Sequence, residues 1–323
     1  TPISSIKLAP GSYLLTLQAP GHTTVRYPIV AKRQEKLRLD IQLLRDGEVP
    51  QGYVYVPTGR FMFGTAMDEI VRKGFLTTIP VHEVQSEGFL IAKTEVTFRQ
   101  WIEYLKTLPP DERAKRAMHA TTGASTGSVE LKEENDGTWR LVMKIGDVTH
   151  TARSGEKLVY GSRTVRASQD WLNMPASGMT IEDAEAYAAW LDRSGMLPKA
   201  RLCTEKEWER AARGADAREF PHGEDLAGSE ANIDETYAKE PASMGPDEVG
   251  SYPVTASPFG LQDMAGNVLE WTRSALEPNE IVVRGGAFFY AALVERATNR
   301  IIMPPTMRDA ANGLRLCASI ARR

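Results

Sequence analysis

The chain opens on short runs of alternating apolar and polar positions. Tyr13, Leu15 and Leu17 share one face, and Leu14, Thr16 and Gln18 the other. That is the two-residue period of a half-buried strand. Pro10-Gly11 and Pro20-Gly21 bracket the run as turn punctuation. Val25–Val30 and Leu37–Leu43 read as further strands, the second alternating through Leu37, Leu39, Ile41 and Leu43. Three short strands bury little apolar surface, so residues 1–46 are expected to lean on a neighbour or act as a spacer. A polar, turn-rich linker, Asp46-Gly47-Glu48-Val49-Pro50, follows.

Beyond the linker, YVYVPTGRFMFG reads as strand, turn, strand. Three helices are announced by capping boxes, in which an N-cap hydroxyl and a side chain three residues on satisfy each other's free amides. Thr97 with Gln100 starts a helix through Leu105, stopped by Pro109-Pro110. Thr180 with Asp183 starts a second, apolar at 181, 184, 188 and 191 and ending at Gly195. Thr204 with Glu207 starts a third, ending near Gly214. Residues 109–172 differ in texture, with strand-like pieces at Trp139–Ile145 and Lys157–Tyr160, and read as an insertion carrying a hairpin. After Gly214 the Gly and Pro content predicts short strands and ordered loops, whose backbone must be satisfied by side chains, water or ions.

Hydrophobic residues at 42% and charged residues at 25% of 323 fit a globular chain and exclude a collagenous or wholly disordered one. No apolar stretch approaches the length of a membrane span. The net charge of -3 argues against a nucleic-acid partner. Cys203 and Cys317 make neither a disulfide framework nor a cysteine zinc site, and are expected as buried free thiols, with one bond between them as the alternative. The first residue, Thr1, is not Met, so the chain reads as a fragment or processed product. The histidines at 22, 82, 119, 150 and 222 share no metal-binding spacing. No nucleophile elbow or phosphate-cradling glycine loop appears. The acids Glu205, Glu207 and Glu209, and Glu182, Asp183 and Glu185, are read as structural residues of their helices.

Two resemblances follow from longer phrases. LAPGSYLLTLQAPGH with LRLDIQLL resembles the PEGA domain, a small β module of bacterial surface proteins that also occurs beside bacterial serine/threonine kinases. RLCTEKEWERAARG, ANID, SPFGLQDMAGNVLEWTRS, VVRGGAFF, ATNR and ANGLRL, with GRFMFG and Glu95-Val96-Thr97 upstream, resemble the formylglycine-generating enzyme family, or sulfatase-modifying factor domain. This second resemblance covers about residues 50–320 in the family's order. It implies a loop-rich α+β fold akin to C-type lectins. The expected division is a β unit at 1–46 and a formylglycine-generating-enzyme-like domain at 47–323.

The same resemblance fails at the chemistry. Active members hold copper(I) on two cysteines five residues apart after R-G-G, and soft thiolates suit that ion. Counting from Arg284-Gly285-Gly286, those positions are Tyr290 and Glu295, so no copper and no catalytic residue is expected. The histidine cluster of the iron-dependent relatives is also missing. The resemblance implies structural calcium at Asn232 with the Ile233 carbonyl, helped by Asp234 or Asp247, and at Asn267 with Glu270. Calcium favours such sets of hard oxygens. Arg284 and Arg315 are expected to pair with buried acids such as Asp263 and Glu270, and Phe288 to be core. Phe289, Tyr290, Glu295, Arg296, Asn299, Arg300 and Met303 fall where the family's groove lies and are the expected ligand face.

The resulting expectation is a non-catalytic module that binds a protein or peptide, forming the C-terminal recognition part of a larger bacterial protein such as a serine/threonine kinase. A cytoplasmic location would go with such a kinase. The alternatives are a diversified C-type-lectin-like target binder and an enzyme of altered chemistry.

Overall fold

Each predicted helix begins at its capping box. In the computed structural model, which describes residues 5–74, 77–120 and 124–320, five α-helices lie at α1 (Glu69–Gly74), α2 (Phe98–Lys106), α3 (Pro110–Arg116), α4 (Ile181–Arg193) and α5 (Glu205–Arg213). The boxes at Thr97/Gln100, Thr180/Asp183 and Thr204/Glu207 are reciprocal, with both the side-chain and the backbone bond made. Helix α2 ends ahead of the proline pair, where the Thr107 hydroxyl donates to the Tyr104 carbonyl at 2.7 Å. Pro110 then opens α3 at its first position, where a missing N–H costs nothing.

The first strands are β1 (Gly11–Leu17) and β2 (Val25–Ala31), an antiparallel pair. The third strand expected at Leu37–Leu43 does not form. Gln34 takes a left-handed conformation, and Glu35 beyond it is bonded by Arg60 at 2.7 Å. Lys32 is held at 2.8 Å by Glu83. These anchors carry the returning chain away from β2, and it rejoins only where the Thr23 amide donates to the Leu44 carbonyl at 2.9 Å.

Next come β3 (Tyr53–Val56), β4 (Gly59–Phe63), β5 (His82–Ser86) and β6 (Phe89–Ala92). The 109–172 segment holds more than a hairpin. Strands β7 (Gly127–Glu133), β8 (Trp139–Ile145) and β9 (Val148–Arg153) form an antiparallel meander, followed by the two-residue pair β10 (Leu158–Val159) and β11 (Ser168–Gln169). The last strands are β12 (Ala200–Leu202), β13 (Leu269–Arg273), β14 (Ile281–Arg284), β15 (Ile301–Ile302), β16 (Asn312–Gly313) and β17 (Leu316–Ser319).

Two four-stranded sheets, ordered β12-β17-β6-β3 and β15-β14-β13-β16, carry the core. Around them the chain runs as loops and 3-10 turns, as expected of a loop-rich α+β fold. The two cysteines correct their expectation. Cys203 and Cys317 are joined, fully buried and packed with Trp208, Phe259 and Met264. Antiparallel pairing of β12 with β17 brings the two partners together across 114 residues. Among the described residues no helix is long and apolar enough to cross a membrane.

Candidate functional site

The C-terminal loops are built around charged side chains that point inward. Helix α5 buries Glu205, Glu209, Arg210 and Arg213 together with Trp208. Glu209 pairs with Arg213 one turn on, at 2.7 Å, and with Arg284 from β14. It also accepts the Gly64 amide at 2.7 Å. Glu205 takes Arg284 at 3.2 Å and Arg300 at 2.9 Å. Burial raises the Glu205 carboxyl, but the bond from Arg300 and the charges of Arg284 and Arg300 outweigh it and leave its pKa below the usual value. Arg284 thus pairs with α5 and not with the expected Asp263 or Glu270.

Arg315 pairs as expected. Its guanidinium meets Glu270 at 2.7 Å and bonds the Ala92 carbonyl at 3.0 Å, with Glu95 at 3.8 Å. Glu95, Asp263 and Glu270 therefore share one buried cation. Burial pushes the Glu95 and Asp263 carboxyls upward, with repulsion from Asp263 and Glu270 adding at Glu95 and repulsion from Glu270 adding at Asp263.

The Gly285-Gly286 turn sits at the end of β14 with both residues in the left-handed region, at φ 98° and 71°. A Cβ on Gly286 would overlap the Glu295 carboxylate, so a glycine is required there. Glu295 is fully buried. One of its oxygens accepts the Ala287 amide at 3.1 Å, and the other has no partner among the described residues. Burial raises its pKa well above the carboxylate range. Tyr290 is half-buried beside Thr126, Asp309 and Glu295, and burial raises its hydroxyl.

The expected ligand face divides. Phe289 is exposed, and Tyr290, Arg296 and Met303 are half-buried. Arg296 reaches Glu219 at 2.9 Å. Glu295, Asn299 and Arg300 lie in the interior. Asn299 donates to the Val294 carbonyl at 2.8 Å, and Arg300 is spent on Glu205 and Glu280. A count along the motif gives their positions but not their directions, which correct that part of the expected face. Leu293 and Ile302 are exposed apolar side chains of the same segment that the motif count passed over.

The residues expected for calcium are close together and largely committed. Asn267, at φ 68°, accepts the Asn232 side-chain amide at 3.2 Å and the Asp247 backbone amide at 2.9 Å. Both Glu270 oxygens accept from Arg315, and one also accepts the Trp208 indole. The Ile233 carbonyl accepts the Thr236 amide at 3.1 Å. Asp247 accepts four donors, from Arg163, Gln169, Tyr237 and Tyr252. Asn232 Oδ1 and Asp234 Oδ1 are buried without a hydrogen-bond partner among the described residues. Nothing in the sequence signalled Arg163, which comes from the insertion.

Residues 44–320 match the family model described as the sulfatase-modifying factor enzyme 1-like domain. The chain belongs to this family. Within the sulfatase-modifying factor family, it is 28% identical over 286 residues to the inactive C-alpha-formylglycine-generating enzyme 2 of Mus musculus, covering 84% of this chain and 86% of that one. It is also 27% identical over 252 residues to the serine/threonine-protein kinase pkn1 of Chlamydia caviae, covering 76% of this chain. The chain spans about a third of that kinase's length, 31%. Among solved structures, PvdO from Pseudomonas aeruginosa superposes with a TM-score of 0.58 at 22% identity, over 83% of this chain and 94% of that one. That likeness shows the fold.

Proposed function

We propose that the chain is a non-catalytic member of the sulfatase-modifying factor family that recognises a protein or peptide. The observation that carries this reading is the state of its sulfurs. The loop after Gly285-Gly286 contains no thiol, and the chain's two cysteines are bonded to each other in the core. Tyr290 and Glu295 stand where the family resemblance puts the copper ligands. One is a phenol, and the other a buried carboxyl that holds the Ala287 amide. Neither supplies the soft donor that copper(I) chemistry needs.

The similarity to a mouse protein named as inactive, and to a bacterial kinase of which the match spans 31%, supports the reading that the chain is the recognition part of a larger bacterial protein of the kinase kind. The ligand face is then the exposed part of the C-terminal segment. Phe289, Leu293 and Ile302 supply apolar area, and Tyr290, Arg296 and Met303 flank it. Aromatic and arginine side chains are typical anchors of such faces. The interior residues Glu295, Asn299 and Arg300 hold the loop that presents it.

Alanine variants at the exposed Phe289, Leu293 and Ile302 test this face. Exposed positions change stability by within about 0.5 kcal/mol, whereas an interface anchor costs about 2 kcal/mol or more of binding. Each variant is melted and then used, beside the unaltered chain, in affinity capture with the captured proteins identified by mass. Variants that melt normally and lose a partner held by the unaltered chain support the face. Variants that capture the same partners equally well contradict it.

A further inference from the structure

Arg163 lies in the turn between β10 and β11, and its side chain is fully buried. It crosses from the insertion to the loop that follows Asn232. There Nε donates to the Ser243 carbonyl at 2.6 Å, Nη2 to the Gly245 carbonyl at 2.8 Å, and Nη1 to Asp247 Oδ1 at 2.6 Å. The guanidinium lies 3.5 Å from the ring centre of Tyr160 and 3.8 Å from that of Tyr237. The Tyr160 hydroxyl donates to the Pro246 carbonyl at 2.8 Å. Asp247 is completed by Gln169 Nε2 at 2.7 Å and by the hydroxyls of Tyr237 and Tyr252 at 2.7 and 2.6 Å. The Asn232 amide is tied to the same Gly245 carbonyl at 2.9 Å.

The oxygens here are one carboxylate, two backbone carbonyls and a neighbouring amide. That is the donor chemistry a hard divalent cation seeks, and it surrounds a side chain that already carries the charge. One carboxylate against one guanidinium is neutral. A calcium ion added beside Arg163 would set three positive charges against the single Asp247. Buried charge without a partner is costly, and the two ring faces leave the guanidinium no room to turn aside. The residues present do not fit a metal while Arg163 is in place.

We infer that Arg163 is a built-in cation, filling from within the chain the place beside Asn232 and Asp247 where the family resemblance implies a structural calcium helped by Asp234 or Asp247. The loop from Ala231 to Asp247 is ordered by the insertion instead of by an ion. The insertion is therefore a working part of the fold, locked to the domain by a guanidinium fork held between two rings. An ammonium could not reproduce this, since it lacks the planar array of donors.

The test compares the unaltered chain with Arg163→Ala and Arg163→Lys, using calcium chloride, EDTA and terbium(III) as probes. Tyr160, Tyr237 and Tyr252 beside the site would sensitise terbium emission. The unaltered chain should melt at the same temperature in calcium and in EDTA. Arg163→Ala should melt lower, recover part of the loss in millimolar calcium, and gain tyrosine-sensitised terbium emission that the unaltered chain lacks. Arg163→Lys keeps a positive charge at Asp247 and should lose stability without gaining a metal response. An Arg163→Ala protein that is folded and gains no response to either ion overturns the inference. So does an unaltered chain that responds to the ions as strongly as the variant. If Arg163→Ala does not fold with or without calcium, Arg163→Lys decides: indifference to metal supports the inference, and a gained response overturns it.

Discussion

Replacing both cysteines by alanine removes the covalent link between β17 and the residue that follows β12. The partners are 114 residues apart. The chain-entropy relation for that loop gives about 4.8 kcal/mol of stabilisation at 25 °C through the unfolded state. Losing two buried sulfurs from the packing around Trp208, Phe259 and Met264 adds a cost on the order of 1 kcal/mol. Unfolding entropy scales at about 2.1 cal/mol/K per residue, so a 323-residue chain should drop by roughly 7–9 °C in melting temperature. The β12–β17 pairing, Leu202 against Leu316, persists in the variant because its backbone bonds do not depend on sulfur. The fold and the far-ultraviolet spectrum should therefore stay native at 25 °C. The assay is thermal melting of Cys203→Ala/Cys317→Ala against the unaltered chain, with thiols counted in denatured, unreduced protein. A melting temperature within about 2 °C of the unaltered chain would refute the entropy argument. Two free thiols in the unreduced chain would refute the bond itself.

Three further outcomes follow from the buried charges. Glu295→Gln should raise the melting temperature near pH 7. A carboxyl whose folded pKa lies above its unfolded value loses stability as pH rises from the unfolded toward the folded value, by up to about 1.4 kcal/mol per pH unit. The gain should vanish near pH 4, and a gain independent of pH would show that proton linkage at Glu295 is not its cause. Glu205 acts in the opposite sense. Its folded pKa is depressed, so its contribution is full above the unfolded value and lost as pH falls through the folded one, and Glu205→Gln should flatten the acid limb of the stability profile. Arg315→Met leaves Glu95, Asp263 and Glu270 without their shared cation and should cost about 3–5 kcal/mol in denaturant unfolding. A cost below about 1 kcal/mol would mean that these acids are held neutral without it.

The helices were legible because a capping box is local: hydroxyl, amide and the closing Gln, Asp or Glu side chain all lie within four residues. The structural use of Glu205 and Glu209 was legible for the same reason, although their partners Arg284 and Arg300 were not. The strand expected at Leu37–Leu43 had the right alternation, but alternation does not decide which edge a strand joins. Here Glu35 and Lys32 found partners on β4 and β5 instead. The cysteines sit in matching apolar phrases, yet only the β12–β17 register reveals that they meet. Glu295, Asn299 and Arg300 were misplaced on the ligand face for a related reason. In a loop-rich fold the backbone consumes polar side chains, so a charged residue in a family's active segment often serves the loop it sits in. Arg163 gave no signal, because its partner loop lies 80 or more residues downstream.

The proposed function has this member of the family keeping the scaffold without the oxidative chemistry. The deciding experiment is oxygen uptake in the purified chain loaded with one equivalent of copper(I), supplied with a cysteine-containing peptide and a thiol reductant, against the same mixture without protein. Uptake should equal that of the protein-free mixture, and the peptide should keep its mass. Protein-dependent oxygen consumption with conversion of the peptide cysteine would contradict it.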